Sequence, residues 1–306
     1  MAIKLSRMIY ILESYNMKYL LIPLMCLLAT SKITIQSKFS KGKSTDISDK
    51  FFYNGVVFLT SALLFSPYIM KNGASGKTLF FGIIMGVLSV VFQVFYICAF
   101  SKGKMALTVI INNFSMILPI IVSYLFFGDE FGLLKMAGTG LALISFVLSV
   151  SRENQENSGK VGFQWLVFVI LVFLSNGMIS INQKVYSETA VNFQVFEFVS
   201  VAYITATLLS VIILAFLSVK NKNIRYVKNP KAIASGCMVG ILLGVFQCIN
   251  TYATSVIDGT ILYSVYNCGV SLLSVVTGRI FFGEKLSRIQ YTGVIIGTLA
   301  ILFLCL

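Results

Sequence analysis

Long apolar runs separated by short polar stretches set the pattern of this chain. The runs lie at roughly 19–37, 51–70, 78–100, 104–126, 132–150, 163–183, 193–219, 231–253, 259–280 and 289–306. Each is close to the length of about 20 apolar residues that a helix needs to cross the hydrocarbon core of a bilayer. The longest polar stretches are Lys38–Lys50, Ser151–Gly162 and Lys220–Lys231, and none is long enough to fold as an aqueous domain. Ahead of the first run, Leu5, Met8, Ile9 and Leu12 recur at i, i+3, i+4 and i+7, which predicts a short interfacial helix within residues 1–17. Lys4, Arg7 and Glu13 interrupt that segment, so it does not read as a cleavable signal. The pattern predicts an all-α membrane protein with ten transmembrane helices.

Composition agrees with this reading and excludes other classes. Hydrophobic residues make up 57% of the 306, charged residues only 11%, and mean hydropathy is +0.89. A soluble domain needs about 25% charged residues to coat its surface. A soluble enzyme, a nucleic-acid binder and a disulfide-rich secreted domain are therefore excluded. The net charge of +13 falls mostly between the apolar runs, where basic residues set orientation and meet anionic lipid headgroups. It points to the bilayer as partner, not to nucleic acid. Cys26, Cys98, Cys237, Cys248, Cys268 and Cys305 all lie inside apolar runs, and the chain has no histidine. No metal, no cofactor and no enzymatic chemistry are expected.

The chain repeats itself. FFGDEFGLLKMAGTG at 126–140 returns as FFGEKLSRIQYTGVI at 281–295, an offset of 155 that also pairs Asn112 with Asn267 and Gly138 with Gly293. An offset of 154 pairs Gly82 with Gly236, Gly86 with Gly240 and Phe92-Gln93 with Phe246-Gln247. An offset of 146 pairs Ile33, Ile35 and Lys38 with Ile179, Ile181 and Lys184. The second and seventh runs match only weakly, Ser61-Ala62 against Thr205-Ala206. Drifting offsets of this kind follow from loop insertions between two copies of one unit. The expected organisation is an N-terminal segment 1–17 and two five-helix repeats, 18–150 and 163–306. An odd number of spans inserts the second copy upside down, and inverted repeats are the usual construction of secondary transporters with a midplane site.

Two five-span copies, each with a Phe-Phe-Gly-acidic turn before its last span (Gly128-Asp129-Glu130 and Gly283-Glu284) and a lysine ending its first (Lys38, Lys184), resemble the EamA-domain transporters of the drug/metabolite transporter superfamily. The resemblance covers nearly all of the chain after residue 18. It implies a transporter and leaves the substrate open, since that family carries amino acids, sugars, nucleotide sugars, cofactors and drugs. The family often has a proline in the fourth span of each copy; Pro119 fits, whereas the paired position is Ser274.

Polar side chains at membrane depth are costly unless they face the bundle interior. Gln93 and Gln247 are repeat mates, as are Asn112 and Asn267; Asn113, Asn250, Tyr96, Tyr263 and Tyr266 stand near them in sequence. Amides that donate and accept, next to aromatic walls, suit a zwitterionic or hydroxylated solute. The same amides can equally join helices by hydrogen bonds. Lys32 and Glu197 are charges inside spans, and as a pair they would bind a substrate carboxylate or relay a proton. Alternatively Lys32 snorkels to the interface and Glu197 starts its helix. Asp129, Glu130 and Glu284 are expected to pair locally with Lys135, Lys285 or Arg288. Gly82-xxx-Gly86 and Gly236-xxx-Gly240-xxx-Gly244 are expected to let helix backbones approach closely.

These residues point to a multi-pass protein of the cell membrane, a secondary active exporter of a small polar or amphipathic metabolite working by alternating access, as monomer or homodimer. A flippase for a lipid-linked sugar is the alternative on the same fold, and a membrane enzyme or signalling scaffold the alternative of another class. Lys4, Arg7, Lys18, Lys71, Lys77, Lys135 and Lys184 lie on the side of the termini, against the other 17 of 24 basic residues on the opposite side. The positive-inside rule then places the termini outside, whereas the family resemblance implies cytoplasmic termini.

Overall fold

A helix lies on each of the ten apolar runs. The computed structural model describes residues 18–41, 47–122, 125, 132–150, 162–190, 194–220, 230–257 and 259–305. The expected interfacial helix, the turn with Asp129 and Glu130, and most of the Lys220–Lys231 stretch lie outside these residues. The helices are α1 (Leu21–Ser40), α2 (Ile47–Asn72), α3 (Gly76–Lys102), α4 (Met105–Asn113), α5 (Ile117–Val122), α6 (Leu133–Val150), α7 (Phe163–Thr189), α8 (Val195–Lys220), α9 (Pro230–Val256), α10 (Gly259–Phe282) and α11 (Arg288–Cys305). Among the described residues six helices are long and apolar enough to cross a membrane, namely α2, α3 and α7 to α10. Lys32, Gln36 and Lys38 dilute the apolar content of α1.

The fourth run is not one rod. A 3-10 turn, Phe114–Met116, separates α4 from α5, and the cause is Pro119 in the first turn of α5. A proline ring clashes with the carbonyl four residues before it, here that of Ser115, and has no N–H to offer that carbonyl. Ser274, at the paired position, makes no such demand, and α10 runs unbroken from Gly259 to Phe282. The fourth and ninth runs therefore differ in backbone.

The surface is that of a protein dissolved in lipid. Leu27, Leu63, Phe80, Phe216, Leu272 and Ile280 are exposed, while Gln36, Asn54, Gln93 and Asn113 are buried. Large exposed apolar faces are rare on soluble monomers and mark contact with an apolar phase. The helices pack mainly across the two halves of the chain: α2 on α8, α6 on α11, α3 on α7 and α8, and α9 on α1 and α2.

Two of these crossings have the same atoms in contact. A Cβ on Gly86 of α3 would stand 2.5 Å from the Ala202 carbonyl oxygen and 2.7 Å from Thr205 Cβ of α8. A Cβ on Gly240 of α9 would stand 2.5 Å from the Val57 carbonyl oxygen and 2.7 Å from Thr60 Cβ of α2. Only glycine permits such an approach. The packing pairs Thr60 with Thr205, one residue away from the weak match of Ser61 with Thr205 read along the chain.

At the end of the bundle where α10 finishes, Gly283 adopts φ 61° and turns the chain, and Glu284 points back into the protein. Its local pairing with Lys285 or Arg288 does not form. Instead Glu284 Oε1 takes an ion pair from Lys41 Nζ at 2.5 Å, beyond the end of α1. The same carboxylate accepts from the backbone N–H groups of Met105 (2.7 Å) and Ala106 (3.3 Å). Those N–H groups open α4, whose own N-cap residue, Lys104, supplies no side-chain cap. A carboxylate at a helix N-terminus satisfies orphan donors and meets the positive end of the dipole. Glu284→Gln is expected to lower stability by about 2 kcal/mol, because the ion pair is lost and an amide N–H can be turned toward backbone N–H. Thermal unfolding in detergent measures this, and an unchanged midpoint would show that the bridge carries no weight.

Candidate functional site

Four helices contribute buried and half-buried polar and aromatic groups to one ring. On α1, Lys32 and Gln36 lie one turn apart and share a face. Gln36 Nε2 donates to Gln93 Oε1 of α3 at 2.8 Å. One turn along α3, Tyr96 stacks on Phe92 with ring centroids 5.0 Å apart. The Tyr266 ring of α10 stacks on Phe246 of α9 at 5.7 Å. Lys32 Nζ stands over Phe246, 5.5 Å from the ring centroid, which joins α1 to α9.

This ring has unfilled hydrogen-bonding capacity. Gln36 Oε1 and the Tyr96 hydroxyl are buried and have no partner, and Lys32 has no ion-pair partner among the described residues. Beside Phe246 on α9, the Gln247 Nε2 group is also buried and unpartnered. Asn250, half-buried, follows Phe246 by one turn on the same face. Buried polar groups in folded proteins almost always find a partner, so a cluster of exceptions is where a bound solute would make its bonds. Tyr263 lies in α10, and its side chain is outside the described residues.

The other amides separate into two kinds. Asn113 Nδ2 donates to Ser271 Oγ at 2.8 Å and to the Asn267 carbonyl at 3.3 Å, joining α4 to α10. This is helix-to-helix bonding, one of the two readings left open by the sequence. Asn112, directly before it, has Oδ1 buried with no partner. Among the described residues, Asn267 Nδ2 has only Met116 Sδ at 3.6 Å. The 3-10 turn holds Ser115, whose hydroxyl accepts from Asn176 Nδ2 of α7 at 2.7 Å. Asn113→Ala is expected to cost about 1–2 kcal/mol, whereas Asn112→Ala is expected to cost almost nothing, since its oxygen already lacks a bond. Thermal midpoints of the two variants check this; equal losses would contradict the assignment.

Lys32 and Glu197 are not brought together as a pair. Glu197 sits in the first turn of α8, where its Oε1 accepts from Asn72 Nδ2 at 2.6 Å at the end of α2. Nearby, Gln194 Oε1 accepts from Ser75 N–H at 2.9 Å and from Thr78 Oγ1 at 3.0 Å. Thr78 Oγ1 also bonds the Tyr186 hydroxyl at 3.0 Å. Glu197 thus starts its helix and ties α2 to α8, leaving Lys32 alone in the ring. Lys38 is exposed.

Sequence reading missed Gln36, the partner of Gln93. Its signal was available: it stands four residues after Lys32, on the same face of the first span. It also missed the buried Asn54 of α2, with neither side-chain atom bonded, and Lys50, whose Nζ bonds Cys98 Sγ at 3.3 Å.

Comparison with known proteins adds three findings. Residues 17–151 match the model of the EamA-like transporter family. A Haemophilus influenzae protein described as uncharacterized is 22% identical over 292 residues, covering 90% of this chain and 94% of its own. A protein of known crystal structure, 13% identical, shares the fold with a TM-score of 0.58 over 91% of this chain and 94% of its own.

Proposed function

We propose, from the match of residues 17–151 to the model of the EamA-like transporter family, that this multi-pass membrane protein is a secondary active transporter of the drug/metabolite transporter superfamily. It exports a small polar or amphipathic metabolite by alternating access between two inverted five-helix repeats, with ten spans in all. The observation that carries this reading is the pair of matched crossings. A Cβ on Gly86 would meet the Ala202 carbonyl and Thr205 Cβ at the same distances at which a Cβ on Gly240 would meet the Val57 carbonyl and Thr60 Cβ. Exchanging the first five spans for the last five turns one crossing into the other. A similar exchange relates α3 on α7 to α9 on α1, and leaves α2 on α8 and α6 on α11 as their own mates. Such symmetry supports two conformations of near-equal energy that interconvert by exchanging the roles of the halves.

The substrate then binds in the ring of α1, α3, α9 and α10, close to the proposed pseudo-symmetry axis, with Gln93, Gln36, Tyr96, Gln247 and Tyr266 as contacts. The amides Asn112 and Asn267 extend the site toward the α4 break. The experiment begins with purified protein and a thermal-shift screen against metabolite pools, because a ligand of the folded state raises the unfolding midpoint. Ligands found in this way are then tested for counterflow in proteoliposomes. Saturable counterflow of at least one stabilising solute is the expected result. Binding without any flux would overturn the transport reading.

A further inference from the structure

We propose that Lys32 is the docking point for a substrate carboxylate, and that the transported solute is an organic anion whose apolar body lies on Phe246 and Tyr266. This deepens the transporter reading above and rests on it. Lys32 lies eight residues before the end of α1, about 12 Å along the axis. It is 7% exposed, so the protein covers it. A lone ammonium in a low-dielectric interior is costly unless paired. The face of Phe246 offers it a weak partner, and Glu197, the acid expected to meet it, is engaged by Asn72. An anion brought in by the substrate completes the balance.

The neighbouring groups narrow the chemistry further. Gln36 Oε1 is an unfilled acceptor one turn from Lys32, so the ligand carries a hydroxyl or N–H donor near its carboxylate. The Tyr96 hydroxyl, also unfilled, both donates and accepts. The charge is not part of a brace common to the two copies. The offset of 146 places Met178 opposite Lys32, exposed on the outside of α7. It places Asn182 opposite Gln36, and Asn182 Nδ2 donates to the Phe81 carbonyl at 3.0 Å. One half thus holds a cation and an open acceptor where the other holds a thioether and a donor already in use. Asymmetry of this kind fits selection for a ligand and not for packing.

The test uses the full-length protein purified in detergent and a panel of carboxylates from acetate to indole-3-propionate, each beside its primary amide. In the wild type, one or more carboxylates are expected to raise the unfolding midpoint while the matching amides do not. Lys32→Met and Lys32→Gln are expected to weaken binding of those carboxylates by about tenfold or more, and Lys32→Arg by less. Stabilisation only by amides, equal affinity in Lys32→Met, or no carboxylate binding at all would overturn the proposal. The carboxylate-against-amide comparison needs only the wild type, so a folding defect in the variants cannot hide the answer. If neutral or cationic solutes undergo counterflow equally in wild type and Lys32→Met, carboxylate docking fails and the transport reading stands. If carboxylates bind and depend on Lys32 yet none is moved, the transport reading fails instead.

Discussion

Gln93→Ala is expected to abolish counterflow of any solute that the protein carries, while the protein still inserts and purifies as a monodisperse species. Gln93 stands at the centre of the polar ring, and its Oε1 holds Gln36 at 2.8 Å. The substitution removes an amide that a substrate would contact and leaves the Gln36 amide without its partner. Stability falls with it, by about 1–3 kcal/mol, because a buried donor is left unmade. Two further variants separate binding from bracing. Replacing both amides, Gln36→Leu with Gln93→Leu, removes the unmatched group and is expected to restore the unfolding midpoint to near that of wild type. Flux should remain absent in this double variant. Flux that returns together with stability would mean that the amides only join α1 to α3. Asn267→Ala gives the cleaner single substitution, since among the described residues Asn267 Nδ2 has only the long contact to Met116. It is expected to lose flux with little change in midpoint, read by counterflow and thermal unfolding on the same preparation.

Gly86→Ala and Gly240→Ala are expected to destabilise the protein by similar amounts, about 2–3 kcal/mol each. The added methyl meets a carbonyl oxygen at 2.5 Å in both places, that of Ala202 for one and that of Val57 for the other. Backbone atoms in packed helices cannot swing aside as a side-chain tip can. The helices must separate, and the loss spreads along each crossing. Gly76→Ala is the control: nothing lies within 4 Å of the added Cβ, and alanine is the better helix former. Unfolding midpoints in detergent measure all three. Equal losses at Gly86 and Gly240 are what two copies of one crossing require. A loss at one with tolerance at the other would remove the main support for interconverting halves.

Much of this was legible along the chain. The apolar runs, the recurring glycines and the matched amides are local features, and each survives as a helix, a close approach or a buried side chain. The mates of the second span were not clear, since Ser61 against Thr205 is a poor match. Packing supplies Thr60 as the partner, because the glycine of the crossing helix selects which residue it touches. The bend at 114–116 followed from Pro119, whose effect on the carbonyl of Ser115 is likewise local. The family match to residues 17–151 agrees with the motif resemblance.

Other features had no local signature. Glu284 stands beside Lys285 and Arg288, and by spacing alone they are its natural partners. The positive φ of Gly283 turns it away, to Lys41 and the start of α4. Asn112 and Asn113 are neighbours of one chemical type, yet one is bonded across helices and the other is not. A turn of 100° separates adjacent helical residues, so the rotation of α4 against α10 decides which amide meets Ser271. Lys32 and Glu197 had the right charges for a pair, and the packing put Asn72 against Glu197 instead. The sequence by itself determined the apolar runs and the helices that lie on them, because hydropathy and periodicity act over one or two turns. Only the tertiary structure decided which polar atoms are satisfied and which are left open, because a hydrogen bond between helices depends on their relative rotation and depth.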